Sequence, residues 1–406
     1  MKKLFLFASA LLLLSLFMIR CSKDSPEPAK IYPTDKGYLG LRADGAGGSY
    51  SGGTSNGTGD STLQDSIPAG QITAGEWNDL VNWDFWLNLG QNGKFDSAQD
   101  NWKFYPQNRY SFLVKDQNNN PLIDCEVWLR NKNGDAIWKA RTDNEGKAEL
   151  WLNLNGQNEE DPSVAVSYGG QQVVVVDPVL MAQGVNEVTI HTDGSTEKNT
   201  DILFVVDATG SMGDEIGYLK SELLDVLQRV KEGNSAIDLR TGAVFYRDEG
   251  DEYVTKVSAF SSSLSETVQF IGAQYADGGG DYEEAVHTAL KTAITQLSWS
   301  EHARARLLFL VLDAPAHHTD AIVKDLNDII KLAAEKGIKI IPVSASGVNK
   351  DAEFLFRFFA VGTNGTYVFI TNNSGIGDDH IEATVGDYEV ELLNDLMVRL
   401  INQYTK

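Results

Sequence analysis

The chain has few cysteines and few basic residues for its length. Only Cys21 and Cys125 occur among 406 residues, which excludes a disulfide framework and a cysteine zinc cluster. Lysine and arginine together number 34 against 57 acidic residues, giving a formal net charge of −23. Because contacts with phosphate groups need a basic surface, this balance argues against nucleic-acid partners and against adsorption to anionic lipid.

A long apolar run lies at the N-terminus. Residues 4–19 are apolar or small and follow two lysines, but the run is shorter than the about 20 residues of a membrane span. The sequence therefore predicts a secretory signal peptide over residues 1–20. Cys21 comes next and opens a polar tract, a pattern that resembles lipoprotein signals of the Bacteroidetes type, although Arg20 stands where that pattern has a small residue. The resemblance implies a lipidated Cys21 and an outer-membrane anchor in the cell envelope, facing the surface or the periplasm; a secreted protein is the alternative.

Composition divides the following 175 residues into two parts. Residues 21–70 are predicted to form a flexible tether, because residues 45–59 consist largely of glycine with serine, threonine and asparagine. Residues 71–195 combine a tryptophan-rich segment with short alternating runs between turn signals, which predicts a small all-β sandwich. The tryptophans are expected to anchor its core, and a carbohydrate-stacking surface is the alternative.

In residues 199–406 the apolar residues are spaced differently from those of the preceding segment. The continuous apolar run at residues 201–207 predicts a central strand covered on both faces. Ile216, Leu219 and Leu223 then recur at the three- and four-residue spacing of an amphipathic helix. Strand and helix patterns alternate from there to the C-terminus. The sequence therefore predicts an α/β domain with a doubly wound, mostly parallel, Rossmann-like sheet.

Side chains with oxygen ligands follow the ends of two predicted strands of this domain. Asp207, Thr209 and Ser211 follow the first strand, and Asp313 follows the strand at residues 307–312. Asp281 lies in a glycine-rich loop between them in the sequence. Ligands of such sheets bind outside the carboxyl ends of the strands, where these carboxylates would repel one another. A hard divalent cation removes the repulsion, and oxygen ligands favour Mg²⁺, Mn²⁺ or Ca²⁺ over Zn²⁺.

These residues resemble the metal-ion-dependent adhesion site (MIDAS) of a von Willebrand factor type A (VWA) domain. That site begins with Asp-x-Ser-x-Ser, which Asp207, Thr209 and Ser211 match with threonine for the first serine. Asp313 matches a later aspartate, and Asp281 takes the place of a threonine. The resemblance implies bound metal, most often Mg²⁺, with one open position for an acidic side chain of a protein or matrix ligand. It implies adhesion or recognition without catalysis. The extra charge of Asp281 leads us to expect firm metal binding but weaker ligand capture.

Two other functions stay open at this point. The protein is alternatively a structural or assembly component of an envelope complex, with a purely stabilising metal, or an enzyme that acts on glycans through its tryptophans. The sequence contains no phosphate loop, nucleotide fingerprint or nucleophile elbow. His317 and His318 closely follow Asp313, and we expect them to begin a helix rather than to bind metal.

Overall fold

A computed structural model describes residues 68–91, 96–233, 236–377 and 379–406. The predicted signal peptide, the predicted lipidation site Cys21 and nearly all of the predicted tether lie outside these residues. Within the described ranges, no helix combines the length and the apolar character needed to cross a bilayer.

The described residues fold into strands and helices that fall into two groups along the chain. The elements before residue 195 are β1 (Thr73–Trp77), α1 (Trp83–Gln91), α2 (Asp96–Trp102), β2 (Asn108–Asp116), β3 (Glu126–Arg130), β4 (Ala136–Arg141), β5 (Lys147–Leu152), β6 (Ser163–Tyr168), β7 (Gln171–Val176) and β8 (Asn186–Ile190). Those after it are β9 (Asn199–Asp207), α3 (Ile216–Gly233), β10 (Asp238–Tyr246), β11 (Thr255–Ser261), α4 (Leu264–Gly272), α5 (Val286–Thr295), β12 (Ala305–Leu312), α6 (Asp320–Glu335), β13 (Ile338–Ser344), α7 (Lys350–Gly362), β14 (Tyr367–Ile370), β15 (Val390–Leu392) and α8 (Leu393–Thr405).

One large sheet has the strand order β11-β10-β9-β12-β13-β14-β1-β15. The five strands from β10 to β14 in this order run parallel, and β11, β1 and β15 run antiparallel to their neighbours. Every residue of β12 and β13 is buried, as expected for strands covered on both faces. The predicted α/β fold with a mostly parallel sheet is confirmed. The chain leaves β9 toward β10 on one side and later returns as β12 on the other, which makes the carboxyl end of β9 a topological switch point.

Helices cover both faces of this sheet. Phe204 of β9 packs with buried residues of α3 and α8, whereas its neighbour Val205 belongs to the core formed with α5, α6 and α7. This alternation follows from the two-residue period of a strand. Helix α6 begins where the Thr319 side chain accepts a hydrogen bond from the backbone N–H of Ile322, so its first turn is capped. The two cores hold the loops at the carboxyl edge of the sheet in place.

Residues 108–190 form two smaller sheets. Their strand orders are β5-β2-β8 and β4-β3-β6-β7, and all pairs are antiparallel except β2 with β8. Trp138 and Phe112 of these sheets belong to the same hydrophobic cluster as Leu326 of α6. The smaller sheets therefore share their core with one face of the large sheet.

The segment around β1 lies elsewhere than the sequence predicted, since it belongs to the large sheet and not to the small ones. Its strand is inserted between β14 and β15. The buried carboxylate of Glu222, on α3, accepts hydrogen bonds from the backbone N–H groups of Gly70, Gln71 and Ile72 at 2.9, 2.8 and 3.1 Å. Because these partners lie about 150 residues apart along the chain, no local pattern reveals the contact.

Six of the seven tryptophans before residue 152 are core residues. They are at most 8% exposed: Trp77, Trp83, Trp86, Trp102, Trp138 and Trp151. The indole of Trp86 packs against Phe358 of α7, with ring centroids 5.8 Å apart. This burial agrees with the core interpretation and leaves only the half-buried Trp128, among these seven tryptophans, for the carbohydrate-stacking alternative.

Candidate metal centre

The first element of the candidate site is a short hydrogen-bonded chain after β9. One carboxylate oxygen of Asp207, Oδ1, accepts hydrogen bonds from the backbone N–H of Thr209 at 2.9 Å and from its hydroxyl at 2.7 Å. The Thr209 hydroxyl lies 3.2 Å from that of Ser211. Asp207 and Thr209 are fully buried, while Ser211 is exposed. The loop thus presents three oxygen groups in a row from the interior to the surface.

Near Asp207, Thr209 and Ser211, several buried carboxylate oxygens have no hydrogen-bond partner among the described residues. They are Asp207 Oδ2, Glu215 Oε2, Glu284 Oε2 and Asp313 Oδ1. Each of the four side chains is at most 4% exposed as a residue. Orphaned buried acceptors are rare in folded proteins, and a carboxylate without a partner is among the costliest. The arrangement fits an absent positive charge, because a divalent cation accepts oxygen ligands from several carboxylates at once.

The electrostatics of these groups agree with that assignment. Burial raises the pKa values of Asp207 and Asp313 above the ordinary range, and the charge of Asp207 raises that of Asp313 further. Hydrogen bonds from Thr209 and Ser211 oppose part of these shifts. Burial, followed by the charges of Asp207 and other nearby carboxylates, raises the pKa of Glu284 to about 9. Without a cation, protons must therefore neutralise part of this cluster.

One side chain and one backbone hydrogen bond hold the loops together. The guanidinium of Arg247, only 1% exposed, donates to the carbonyl oxygens of Ala208 and Tyr275, both at 3.1 Å. The glycine-rich loop lies against the β9 loop through a hydrogen bond of 3.1 Å from the N–H of Gly210 to the carbonyl of Gly278. Gly279 has φ +74°, and a Cβ atom there would lie 3.0 Å from Glu284 Oε1. Glycine is therefore required where the loop passes between Thr209 and Glu284.

Asp281 lies beside Asp248 and His317, and the charge of Asp248 acts in turn on Asp207 and Glu284. One of its carboxylate oxygens clusters with an oxygen of Asp248 and a ring nitrogen of His317, all within 4.8 Å of one another. In the same loop, the charge of Asp207 helps to raise the pKa of Glu284, three positions after Asp281. The structure therefore brings Asp207, Thr209, Ser211 and Asp313 together, with Glu284 as an additional carboxylate.

Sequence reasoning missed Glu284 as a site residue. It occupies the acidic end of the loop that contains Asp281, and both residues are followed by helix α5. The available signal was the start of that helix: Glu284 precedes the buried residues Ala285 and Val286, whereas Asp281 lies in the exposed loop. Proximity to the helix favours burial of the later carboxylate.

The sequence of this region matches a known family. Residues 201–375 match the family model of the von Willebrand factor A domain. This stretch forms a VWA domain. Its parallel strands, helices and strand-end site are the elements described above, so the VWA resemblance is confirmed for this part of the chain.

Three curated proteins are similar to parts of the chain. An ariadne-like RING finger protein of Acanthamoeba polyphaga mimivirus is 30% identical over 134 residues, which are 32% of this chain and 13% of that protein. Alpha-protein kinase vwkA of Dictyostelium discoideum is 33% identical over 122 residues, 30% of this chain and 19% of the kinase. The collagen alpha-6(VI) chain of Homo sapiens is 26% identical over 184 residues, 43% and 7% respectively. The chain thus spans less than a fifth of the length of these relatives.

Two solved structures are similar to this chain, with low TM-scores. BatB, a conserved hypothetical protein from Bacteroides thetaiotaomicron, has a TM-score of 0.28 and 14% identity, covering 51% of this chain and 86% of that one. An aerotolerance-related membrane protein from Bacteroides fragilis has a TM-score of 0.33 and 13% identity, covering 51% and 98%. Scores of this size support no conclusion about function.

Proposed function

We propose that the protein binds a divalent cation at a strand-end site formed by Asp207, Thr209, Ser211 and Asp313. Glu284 supplies a further carboxylate in place of the predicted Asp281. The observation that carries this proposal is the set of buried carboxylate oxygens without partners among the described residues. The ligand set contains oxygen only, so Mg²⁺ is the first choice, with Mn²⁺ and Ca²⁺ as alternatives.

The cation in turn recognises an acidic side chain of a protein or matrix ligand. The exposed Ser211 places one edge of the site at the surface, where a ligand carboxylate can reach an open coordination position. Three carboxylates at the site carry more negative charge than a divalent ion neutralises, unless Glu284 keeps its proton. We therefore expect firm metal binding and only moderate affinity for an external carboxylate.

The second candidate function is structural: the metal only holds loops together in an envelope component. What favours it is that the buried Arg247 side chain joins the backbone at Ala208, in the loop after β9, to that at Tyr275, so loop fixation is already a feature of this region. The two functions differ in what removal of the metal does. Recognition requires that a folded, metal-free protein loses its ligand, whereas a structural metal requires that the loops themselves loosen.

A peptide-binding experiment separates these functions. An array of peptides that contain Asp or Glu is compared with matched Asn or Gln peptides, in Mg²⁺ and in EDTA, with circular dichroism to monitor folding. Recognition predicts capture of acidic peptides in Mg²⁺ only, by a protein that stays folded in EDTA. Capture that persists in EDTA, or that is equal for the amide peptides, contradicts the proposal. Metal binding without any peptide capture supports the structural function instead.

We further propose that Cys21 is lipidated and anchors the protein in the outer membrane. The support is the sequence pattern around Cys21, and secretion is the alternative. Metabolic labelling with a palmitate analogue tests it. We expect label on the wild type and on Cys125→Ser, in which only the buried thiol is removed, but none on Cys21→Ser. Equal labelling of Cys21→Ser and the wild type contradicts the anchor.

A further inference from the structure

A second group of ligand atoms lies at the same edge of the sheet as the strand-end site. Asp248 follows β10, Asp281 lies in the loop before α5, and His317 follows β12. One carboxylate oxygen of each aspartate and one ring nitrogen of the histidine lie within 4.8 Å of one another. The His317 Nε2 atom is 2.7 Å from Asp248 Oδ1. We call these three residues the Asp-Asp-His cluster.

The spacing of these atoms is close to that of a metal site. Zinc binds histidine nitrogen and carboxylate oxygen at about 2.0–2.2 Å in tetrahedral geometry, so its ligand atoms lie roughly 3.3–3.6 Å apart. The three atoms of the cluster lie within 4.8 Å of one another, so shifts of about an ångström in the side chains bring them to this spacing. The three residues come from three different loops, each fixed by a strand or a helix at its base.

The loops of the cluster are clamped to each other by Asp251. Its Oδ2 atom accepts hydrogen bonds from the backbone N–H of Asp248 at 3.1 Å and from that of Gly279 at 2.9 Å. One carboxylate thus holds the loop of Asp248 against the loop of Asp281. Hydrogen bonds that fix the orientation of ligand residues are a regular feature of metal sites.

The charge around the cluster is unbalanced among the described residues. Glu284 is 2% exposed, and one of its carboxylate oxygens has no partner in the described part of the chain. The charges of Asp248 and Asp251 raise its pKa, as do those of the strand-end site. The buried guanidinium of Arg247, one residue before Asp248, forms its ion pairs with Glu252 and Asp277. Among the described residues, His317 is the only basic side chain within salt-bridge distance of Asp248. A second cation would compensate this excess of negative charge.

We propose that the Asp-Asp-His cluster is a second metal site, distinct from the strand-end site, which takes a borderline transition-metal ion such as Zn²⁺. The imidazole nitrogen is what distinguishes the two, because nitrogen ligands favour Zn²⁺ and its neighbours in the transition series, while sites with oxygen alone suit Mg²⁺ and Ca²⁺. Three protein ligands leave at least one coordination position for water. The side chains of Asp248 and His317 are partly covered, at 14% and 27% exposure, and Asp281 is exposed.

A metal titration with the full-length protein tests this site independently of the strand-end site. The protein is saturated with Mg²⁺ and titrated with Co²⁺, an ion that takes the same ligands as Zn²⁺ and whose visible absorption reports a nitrogen ligand and the geometry. We expect one equivalent of Co²⁺ to bind in the wild type and in Asp313→Asn, in which the strand-end site is impaired. Zn²⁺ is then expected to displace it.

Variants of the cluster and of its neighbours decide the assignment. We expect His317→Gln and Asp281→Asn to lose Co²⁺ and Zn²⁺ affinity by about 10-fold or more, with unchanged Mg²⁺ affinity. The matched controls are His318→Gln, the adjacent exposed histidine, and Asp277→Asn, an exposed aspartate of the same loop. Both are expected to bind like the wild type. Unchanged Co²⁺ affinity in His317→Gln, or no bound Co²⁺ in the wild type, overturns the proposal and leaves the Asp248–His317 contact as a simple ion pair.

Discussion

Asp207 and Thr209 are joined by two hydrogen bonds to a single carboxylate oxygen. The backbone N–H and the hydroxyl of Thr209 both reach Asp207 Oδ1, at 2.9 and 2.7 Å. Among the described residues the buried Oδ2 has no partner within 3.5 Å, and the buried hydroxyl of Tyr246 lies close enough to lower the pKa of the carboxyl. One oxygen is thus used to orient the side chain, and the other remains available. This division is what a metal-ligating carboxylate needs, because its orientation is fixed before the cation arrives.

Removal of one charge from the strand-end site is expected to weaken metal binding. Asp313 is 4% exposed and has an oxygen without a partner among the described residues, so Asp313→Asn replaces a ligand with little change of shape. We expect Mg²⁺ affinity to fall by more than about 10-fold, measured by isothermal titration calorimetry. Asp387→Asn, at an exposed aspartate, is the control. An affinity equal to that of the wild type removes Asp313 from the site.

The loop glycines are expected to differ sharply in their tolerance of a side chain. Gly279 has φ +74°, and its added Cβ would lie 3.0 Å from Glu284 Oε1 and 3.3 Å from Thr209 Cβ, whereas Gly280 has open space around it. We expect Gly279→Ala to lose about 1–3 kcal/mol of unfolding free energy and to bind Mg²⁺ more weakly. Gly280→Ala, the matched control, is expected to resemble the wild type in urea unfolding and calorimetry. Equal behaviour of the two variants contradicts the loop geometry.

The stability of the metal-free protein is expected to depend on pH through Glu284. Its pKa in the folded protein is about 9, raised from 4.5 by burial and by neighbouring carboxylates. A group whose pKa is raised on folding stabilises the fold fully below its unfolded-state pKa, and this contribution disappears as the pH rises through the folded-state value. The metal-free protein is therefore expected to lose stability between about pH 5 and pH 9.

Thermal unfolding measures this effect with and without Mg²⁺. A bound cation compensates the charge of the deprotonated carboxylate, so the rise in Tm on adding Mg²⁺ is expected to be larger at pH 8.5 than at pH 6. Because the whole chain is acidic, Glu284→Gln serves as the control that separates this group from general repulsion. It is expected to flatten the pH dependence of the metal-free protein. A metal-free Tm that rises over this pH range is incompatible with the assignment.

The N-terminal segment is expected to be essential for the stability of the α/β fold. Arg357 of α7, fully buried, donates two hydrogen bonds to Asp79, at 2.9 and 2.6 Å, and a third to Glu353. Asp79→Ala removes one of its carboxylate partners, and we expect a loss of about 3–5 kcal/mol in urea unfolding. Asp84→Ala, at an exposed position of α1, is expected to change stability by less than about 0.5 kcal/mol. A small effect of Asp79→Ala shows that this segment is dispensable.

The parts of the fold that local patterns specify were predictable from sequence. The continuous apolar run before Asp207 and the helical spacing after Ile216 led directly to β9 and α3, which the structure extends by only a few residues. The predicted strand at residues 307–312 lies within β12. In each of these elements the burial pattern follows from the period of the backbone itself.

Contacts between distant residues were not predictable in the same way. Strand β1 pairs with β14 across almost 300 residues, and its five residues contain no signal for that partner. The tryptophans around it indicated a core but not which core, because a buried indole packs equally well against a helix or a strand. The start of helix α5 favours burial of Glu284 over Asp281, but only the folded loop shows that Glu284 lies beside Thr209.

Anomalous diffraction from crystals grown with Mn²⁺ tests the central claim most directly. The account predicts an anomalous peak bounded by the side-chain oxygens of Asp207, Ser211 and Asp313. The same data collected from Asp313→Asn crystals are expected to show a weaker peak or none. Side chains of these three residues that point apart around an empty position, in crystals that contain saturating Mn²⁺, would contradict the account.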